Sequence, residues 1–451
     1  MENFISQLSL IIISLAIIIL VFKLLLALIS ISEINKNLKS NTLVNYDILL
    51  SSSLAPQISL LIPISNDSAS LIEDINTFLC LNYSKYEVIL ITDDGAILKK
   101  LVSAFFLDLS SNISTQSIKT AKIKNIYKSK LLSLSKLIVI DKKSNGKFDA
   151  LNAGLNICKG DYIISTNLNS LLVYDSLLKL SKPIMDEIDY KVIAVSGSKR
   201  VLNGNQIKRG LIKKIDLSNS LLSNIQMLNS LKELLLRKMA WSKLTSFLPL
   251  QHSINLISKA DAMLVGGYSK VILGEDLDLI FKIQRQLKIN GQKPKVLAIP
   301  DAICWFRASE NLHKLIKQKS KLANTSINGF FKYIKMFVQQ NYNIIPILST
   351  FFWFLLDYSY LWIGISTIVA SVYLLCTGLI YSKVLVFLLM IAYISSIFFT
   401  LLAILIETKF NVYLNKNQTK KLLQAILIEP IYLKPIILYT QLSAIFKKKA
   451  S

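Results

Sequence analysis

The sequence predicts an α/β domain, a mostly parallel sheet flanked by helices, together with about three transmembrane helices. Three observations predict it. Long apolar runs gather toward the two ends of the chain, at Leu8–Ser32 and across residues 344–406. Between them, short apolar runs alternate with helix-period segments. Polar residues cluster where several of those short runs end. About 20 apolar residues span a bilayer, and strands that alternate with helices build a parallel sheet.

The first apolar run is interrupted only by Lys23, and the residues before it carry Glu2 but no Lys or Arg. A cleaved signal peptide needs a basic start and a shorter apolar core, so residues 1–35 read as a retained anchor. The second apolar region runs over about residues 344–406, within a membrane region of residues 341–410. Leu361–Ile380 and Val384–Ile406 are each long enough to span, with Tyr381-Ser382-Lys383 as a short turn between them. Ile344–Leu356 stops at Asp357 and is shorter. Lys332 and Lys335 precede the region, and Lys409, Lys416, Lys420 and Lys421 follow it. Lysines stay on the inner side, so an even number of crossings is expected. Residues 411–451 form a basic amphipathic tail, interrupted by Glu429-Pro430 and Pro435 and ending near Lys447-Lys448-Lys449. An interfacial helix suits it. On this reading Lys23 is the one charge deep in a span.

The 52 Lys+Arg against 28 Asp+Glu leave a net charge of +24. Nucleic-acid binding would call for a recognisable basic module, and the sequence has no zinc-ligand spacing, RNP aromatics or basic heptads. A domain beside an anionic leaflet fits the charge, as does a composition simply rich in solvated lysine. Cys80, Cys158, Cys304 and Cys376 form no C-x-x-C pair, which argues against disulfides and structural zinc. His252 and His313 are the only histidines, too few for a His-rich metal site.

The domain proper spans residues 55–340. Ile58–Ile62, Tyr86–Ile91, Leu137–Ile140, Tyr162–Ser165 and Val192–Gly197 read as strands, with helices over about Ala69–Cys80 and Lys147–Ile157. Ser110–Lys130 reads as a surface excursion, and Gly210–Leu250 as mainly helical with a Leu-rich face. Ser65-Asn66-Asp67, Asp93-Asp94 and Asn167/Asn169 stand at strand ends, where α/β sheets bind ligands.

This order of segments resembles the membrane-bound family-2 glycosyltransferases, the group that includes processive polysaccharide synthases. The residues that carry the resemblance are Ile58–Pro63 with Asn66-Asp67; Leu81-Asn82-Tyr83 through Asp93-Asp94-Gly95; Asn145-Gly146-Lys147 with Ala150-Leu151-Asn152-Ala153-Gly154; Gly266-Gly267-Tyr268; Gly274-Glu275-Asp276-Leu277-Asp278; and Pro300–Trp305. The resemblance implies a GT-A fold and a nucleotide-sugar site with Pro63, Asp67, Asp93, Asp94, Gly146, Lys147 and Asn167. It implies Asp276, beside Glu275, as the base that deprotonates the acceptor hydroxyl. A carboxylate pair at a helix start is also what the helix dipole favours. Gly146-Lys147 at a loop-to-helix junction suits phosphate, because backbone N–H groups and an ammonium converge there.

The chain departs from the family pattern at two motifs and in the segment before Asp261, which should be small and Gly-rich and is instead His252-Ser253-Ile254-Asn255-Leu256-Ile257. Where D-x-D carboxylates would hold Mg²⁺ or Mn²⁺ it has Asn167-Leu168-Asn169, and where Q-x-x-R-W would stand it has Gln318-Lys319-Ser320-Lys321-Leu322. Asn169 is thus a weakened metal ligand. Lys321 lacks the bidentate fork of Arg, and Leu322 offers no flat ring for a sugar. Lys147 and Lys321 are cations that can take part of a metal's electrostatic role. The resemblance therefore implies an inverting hexosyltransferase, multi-pass in the cell's inner (cytoplasmic) membrane with its catalytic domain in the cytoplasm. Its partners would be a nucleotide sugar, a lipid or glycan acceptor and the membrane, and not nucleic acid. The eroded motifs keep open an alternative: a degenerate relative that partners an active synthase subunit.

Overall fold

The structure is a computed structural model. It describes residues 2–42, 46–65, 67, 70–110, 117–186, 190–208, 211–214, 216–244, 254–270, 275–339, 382–410 and 418–447. In chain order the elements are α1 (Glu2–Thr42), α2 (Tyr46–Ser51), β1 (Ile58–Ile64), α3 (Leu71–Leu79), β2 (Tyr86–Thr92), α4 (Gly95–Phe105), β3 (Leu107–Leu109) and β4 (Ile123–Ser129). Next come β5 (Leu137–Lys142), α5 (Lys147–Ile157), β6 (Tyr162–Ser165), β7 (Ser170–Leu172), α6 (Ser176–Met185), β8 (Lys191–Val201), β9 (Gln206–Lys208) and β10 (Leu211–Lys214). Then follow α7 (Leu221–Lys232), a π-helical turn (Glu233–Lys238), α8 (Met239–Leu244), β11 (Ile254–Ser258), α9 (Lys259–Leu264), α10 (Glu275–Ile289) and β12 (Pro294–Phe306). The last helices are α11 (Leu312–Gln339), α12 (Ser382–Glu407) and α13 (Thr419–Lys447). Two compact units result. One is Asn37–Ile215 with Leu248–Arg307; the other is Met1–Lys36, Asp216–Phe247 and Ala308–Ser451.

The first unit is an α/β domain around a ten-stranded sheet of order β3-β4-β5-β2-β1-β6-β11-β8-β12-β7, with β9 and β10 as a separate hairpin. Its centre is parallel: β5, β2, β1 and β6 all run one way. These are the apolar runs of the sequence, and β2 is buried along its whole length. Strands covered on both faces read as continuous apolar stretches. Ile62, Leu90 and Val139 pack with Ile75, Phe78, Ile97 and Leu101 in the core. Each such side chain contributes about 1.5–3 kcal/mol when fully buried.

Around this parallel centre the sheet also carries antiparallel strands. β11 is antiparallel to both β6 and β8, β7 to β12, and β4 to both β3 and β5. The expected excursion at Ser110–Lys130 contains one of these strands, β4. Of its residues only Ile123 and Ile126 are buried, and the intervening lysines dilute the apolar signal that marks the central strands. The expected helical stretch at Gly210–Leu250 begins with β10 and continues as α7, the π turn and α8; residues 245–250 lie outside the described residues.

The second unit holds helices. Three described helical segments are long and apolar enough to cross a membrane: Ala16–Asn41, Leu389–Phe410 and Lys420–Ile445. The first extends from this unit into the other. The third is the tail, which the sequence reading laid in the interface. It forms one helix straight through Pro430 and Pro435, and by length and hydropathy it meets the requirement for a span. The expected span Leu361–Ile380 lies outside the described residues; Val384–Ile406 falls within α12.

Lys23 is not the one charge within these three candidate segments. Glu429, on α13, is buried, 2.8 Å from Lys232 of α7 and accepting a hydrogen bond from Ser396 Oγ of α12 at 3.2 Å. Three helices meet at this carboxylate. Removing one partner of a buried pair strands the other charge, at a cost of about 3–5 kcal/mol. Glu429→Ala is thus expected to lower the thermal midpoint of the detergent-solubilised protein markedly. Combining Lys232→Met with Glu429→Leu should recover most of the loss, because an apolar pair removes the stranded charge.

Candidate functional site

The four parallel strands β5, β2, β1 and β6 end at one edge of the sheet. β11 runs the other way, so its first residues reach that same edge. The edge therefore collects the segments after Ile64, Thr92, Lys142 and Ser165 and the start of β11. Asn66 and Gly274, two residues of the expected motifs, lie outside the described residues.

After β5 the chain turns into α5 through Gly146, whose φ of +86° suits glycine. The turn is anchored from below. Lys142 and Asp149 form a buried ion pair, and Lys142 Nζ also donates to the Lys143 carbonyl at 2.8 Å. Asp149 further accepts from the Ala121 N–H at 3.0 Å and from Asn145 Nδ2 at 3.2 Å. One carboxylate thus fixes both ends of the Asn145-Gly146-Lys147 turn. Lys147 opens α5, and its Nζ lies 3.1 Å from Glu275 Oε2.

Glu275 and Asp276 open α10. Asp276 is held at both oxygens. Oδ1 accepts from Ser165 Oγ at 2.6 Å and from the Tyr268 hydroxyl at 3.4 Å, and Oδ2 accepts from Asn255 Nδ2 at 2.9 Å. Ser165 ends β6 and Asn255 stands at the start of β11. The register Leu256↔Ile164, carried one step, sets them opposite each other, and opposed residues share a sheet face. Burial pushes the Asp276 carboxyl above the usual carboxylate range. The bonds from Ser165 and Asn255 and the charge of Lys147 pull it down, and Glu275 pushes it up. Burial, followed by the Asp276 charge, raises the Tyr268 phenol well above its usual value.

Tyr268 is placed by α5. Asn152 clasps its backbone from both sides: Asn152 Nδ2 donates to the Tyr268 carbonyl and the Tyr268 N–H donates to Asn152 Oδ1, both at 2.8 Å. Gly267 before it has a φ of +72°, and a Cβ there would collide with Asn152 Oδ1. Two motifs far apart in the chain, Ala150–Gly154 and Gly266–Tyr268, therefore meet because one amide of the first needs the bare backbone of the second.

The other expected residues are distributed as follows. Pro63 is half-buried within β1, opposite Ile91. Asp67 pairs with Lys100. Asp93 is exposed just past β2. Asp94 caps α4, its Oδ1 accepting from the Ala96 N–H at 2.7 Å; an N-cap of this kind stabilises a helix by about 1 kcal/mol. Gln318 and Lys321 are exposed on α11 and belong to the helical unit. The structure thus joins Lys147 to Glu275. It gives Asp276 three partners, Ser165, Asn255 and Tyr268, that sequence reasoning did not single out. Ser165 was read only as the end of a strand, and Asn255 only as part of a segment departing from the family pattern. Tyr268 belonged to a quoted motif without a role.

Asn167 and Asn169 are exposed on either side of buried Leu168. They present neutral amides where a hard divalent cation calls for charged oxygen ligands. Among the described residues no three His, Cys, Asp or Glu side chains gather into a metal-binding group. Among the described residues, the amides at Asn167 and Asn169 do not fit Mg²⁺ or Mn²⁺.

No family model matches the chain, and no curated protein matches it. Solved structures do. A mannosyltransferase, PcManGT from Pyrobaculum calidifontis in complex with GDP-Man and Mn²⁺, is 16% identical with a TM-score of 0.49, over 90% of this chain and 97% of that one. TarS 1–349 from S. aureus is 13% identical with a TM-score of 0.31, over 60% of this chain and 66% of that one. The same protein in complex with UDP-GlcNAc gives 13% and 0.33, over 60% and 67%. At such identities and superposition scores these are similarities only, and they assign the chain to no family.

Proposed function

We propose that the chain transfers a sugar from a nucleoside-diphosphate sugar to a hydroxyl of a lipid or glycan acceptor, with inversion, at the cytoplasmic face of a cell membrane. The observation that carries this reading is the Asp276 carboxylate, held by Ser165 and Asn255 at the carboxyl-end edge of the sheet with Lys147 and Glu275 beside it. Ligands of α/β sheets bind at that edge. A general base must be oriented, and its proton affinity must suit the pH at which it works. Three hydrogen bonds orient Asp276, and burial raises its proton affinity.

The step balances as follows. Asp276 takes the proton of the acceptor hydroxyl. That oxygen bonds to the anomeric carbon from the face opposite the diphosphate, and the bond from the anomeric carbon to the diphosphate oxygen breaks. The electron pair leaves with the nucleoside diphosphate, whose charge Lys147 faces. Asp93 and Asp94 stand past the end of the neighbouring strand, where carboxylates can accept from ribose hydroxyls and base N–H groups.

The test is turnover of radiolabelled UDP- and GDP-sugars by the full-length chain in its membrane, with lipid and glycan acceptors supplied. Sugar appearing on an acceptor supports the reading. Inertness toward every donor sinks it and favours the second reading, a fold retained as a partner of an active synthase. The exposed amides at Asn167 and Asn169 motivate that alternative.

A further inference from the structure

We propose that Lys147 is a partner-exchanging cation: it leaves Glu275 for the diphosphate of the donor, and the site thereby holds that diphosphate without a divalent cation. This rests on the nucleotide-sugar reading and deepens it.

Three observations carry the exchange. First, the Lys147–Glu275 contact is a single 3.1 Å pair between side chains that remain 40% and 28% exposed. A pair so open to water is weak, whereas a diphosphate offers several charged oxygens to one ammonium. Lys147 loses little by changing partner. Second, Lys147 is the first residue of an eleven-residue helix, reached through the left-handed turn at Gly146. The first-turn N–H groups have no partner within the helix and favour an anion at the same place. The buried Lys142–Asp149 pair holds this turn in position, so the cation stands on a fixed base. Third, Asn167 and Asn169 offer amides and no charge. Positive charge opposite the diphosphate must then come from the protein.

The exchange also links the two halves of the reaction. Glu275 is the neighbour of Asp276 and, once released, is no longer neutralised by Lys147. Lys147 now holds down the proton affinity of Asp276 while Glu275 pushes it up. Moving the ammonium onto the donor removes the first influence and exposes the second. Asp276 then becomes a stronger base when the donor is bound, which favours donor before acceptor.

The experiment is equilibrium binding of tritiated UDP and GDP to the full-length, detergent-solubilised protein, in EDTA and in Mn²⁺. The expected result is the same affinity in both, within about twofold. Lys147→Gln should weaken binding at least about tenfold, the loss typical of one charge-assisted contact. Glu275→Gln should tighten it, by up to about fivefold, because the competing partner is gone. Asn167→Asp with Asn169→Asp should make binding depend on Mn²⁺. Tenfold tighter wild-type binding in Mn²⁺, or unchanged affinity in Glu275→Gln, overturns the exchange while leaving the donor reading intact. Failure of both nucleotides to bind under either condition overturns the donor reading, and the exchange with it.

Discussion

Asp276→Asn is expected to cut sugar transfer by about 10²- to 10⁴-fold, the range over which a positioned general base contributes, while UDP or GDP binding persists. The amide keeps the shape of the carboxyl but cannot take up the acceptor proton. The direction of the pH dependence follows from the environment of Asp276. Burial holds its proton more tightly than in an ordinary carboxylate, and a base works only when deprotonated. The acid limb of kcat/KM should fall tenfold per pH unit, with its midpoint above the usual carboxylate value of about 3.9. Ser165→Ala and Asn255→Ala each remove a bond that lowers the proton affinity, so both should move that midpoint further up. A merely structural role for these two side chains would scale the rate without moving the midpoint.

The same raised proton affinity has a sign in stability. Between the unfolded and the raised folded value, the folded state binds more protons than the unfolded one. The contribution of Asp276 to stability is therefore present at low pH and is lost as pH rises through that window. Asp276→Asn should remove this dependence. A thermal midpoint that does not fall in the variant, followed across the window, separates a chemical defect from a folding one.

Asp149→Ala carries the largest expected cost in the sheet unit. Lys142 is only 2% exposed and Asp149 only 4%, so the alanine leaves a buried ammonium without its carboxylate. Such a loss costs about 3–5 kcal/mol, and the Ala121 N–H and Asn145 amide lose an acceptor as well. A large drop in the thermal midpoint is expected. Lys142→Met with Asp149→Leu should restore most of the stability, since well-packed apolar replacements of buried pairs are often neutral. Nucleotide binding by this double variant should stay weak, because nothing then fixes the Asn145-Gly146-Lys147 turn. Recovery of both stability and binding would show that the pair serves the core alone.

The central strands were legible as apolar runs because both faces of β1, β2 and β5 are covered. β4 was not, because an outer strand needs few buried residues and its lysines reach solvent. In the tail, Glu429 and two prolines interrupt the apolar pattern. In the structure Glu429 is neutralised by Lys232, a residue nearly 200 positions earlier. A one-dimensional pattern scores a charge as polar and cannot see the partner that makes its burial tolerable.

The candidate site divides in the same way. The motifs that carry the resemblance singled out Gly146, Lys147, Glu275 and Asp276, and the structure brings Lys147, Glu275 and Asp276 to one edge of the sheet. What the amino-acid order determined by itself was the α/β class, the apolar helices, and amides in place of the charged oxygens that a divalent cation needs. Only the tertiary structure decided that Ser165 and Asn255 hold Asp276, that Asn152 seats Tyr268, and that Lys147 rests on Glu275. The physical reason is that hydrogen bonds act over about 3 Å of space. The residues they join here lie up to 128 positions apart in the chain, and only the pairing of β6 with β11 and the docking of α5 bring them within that reach.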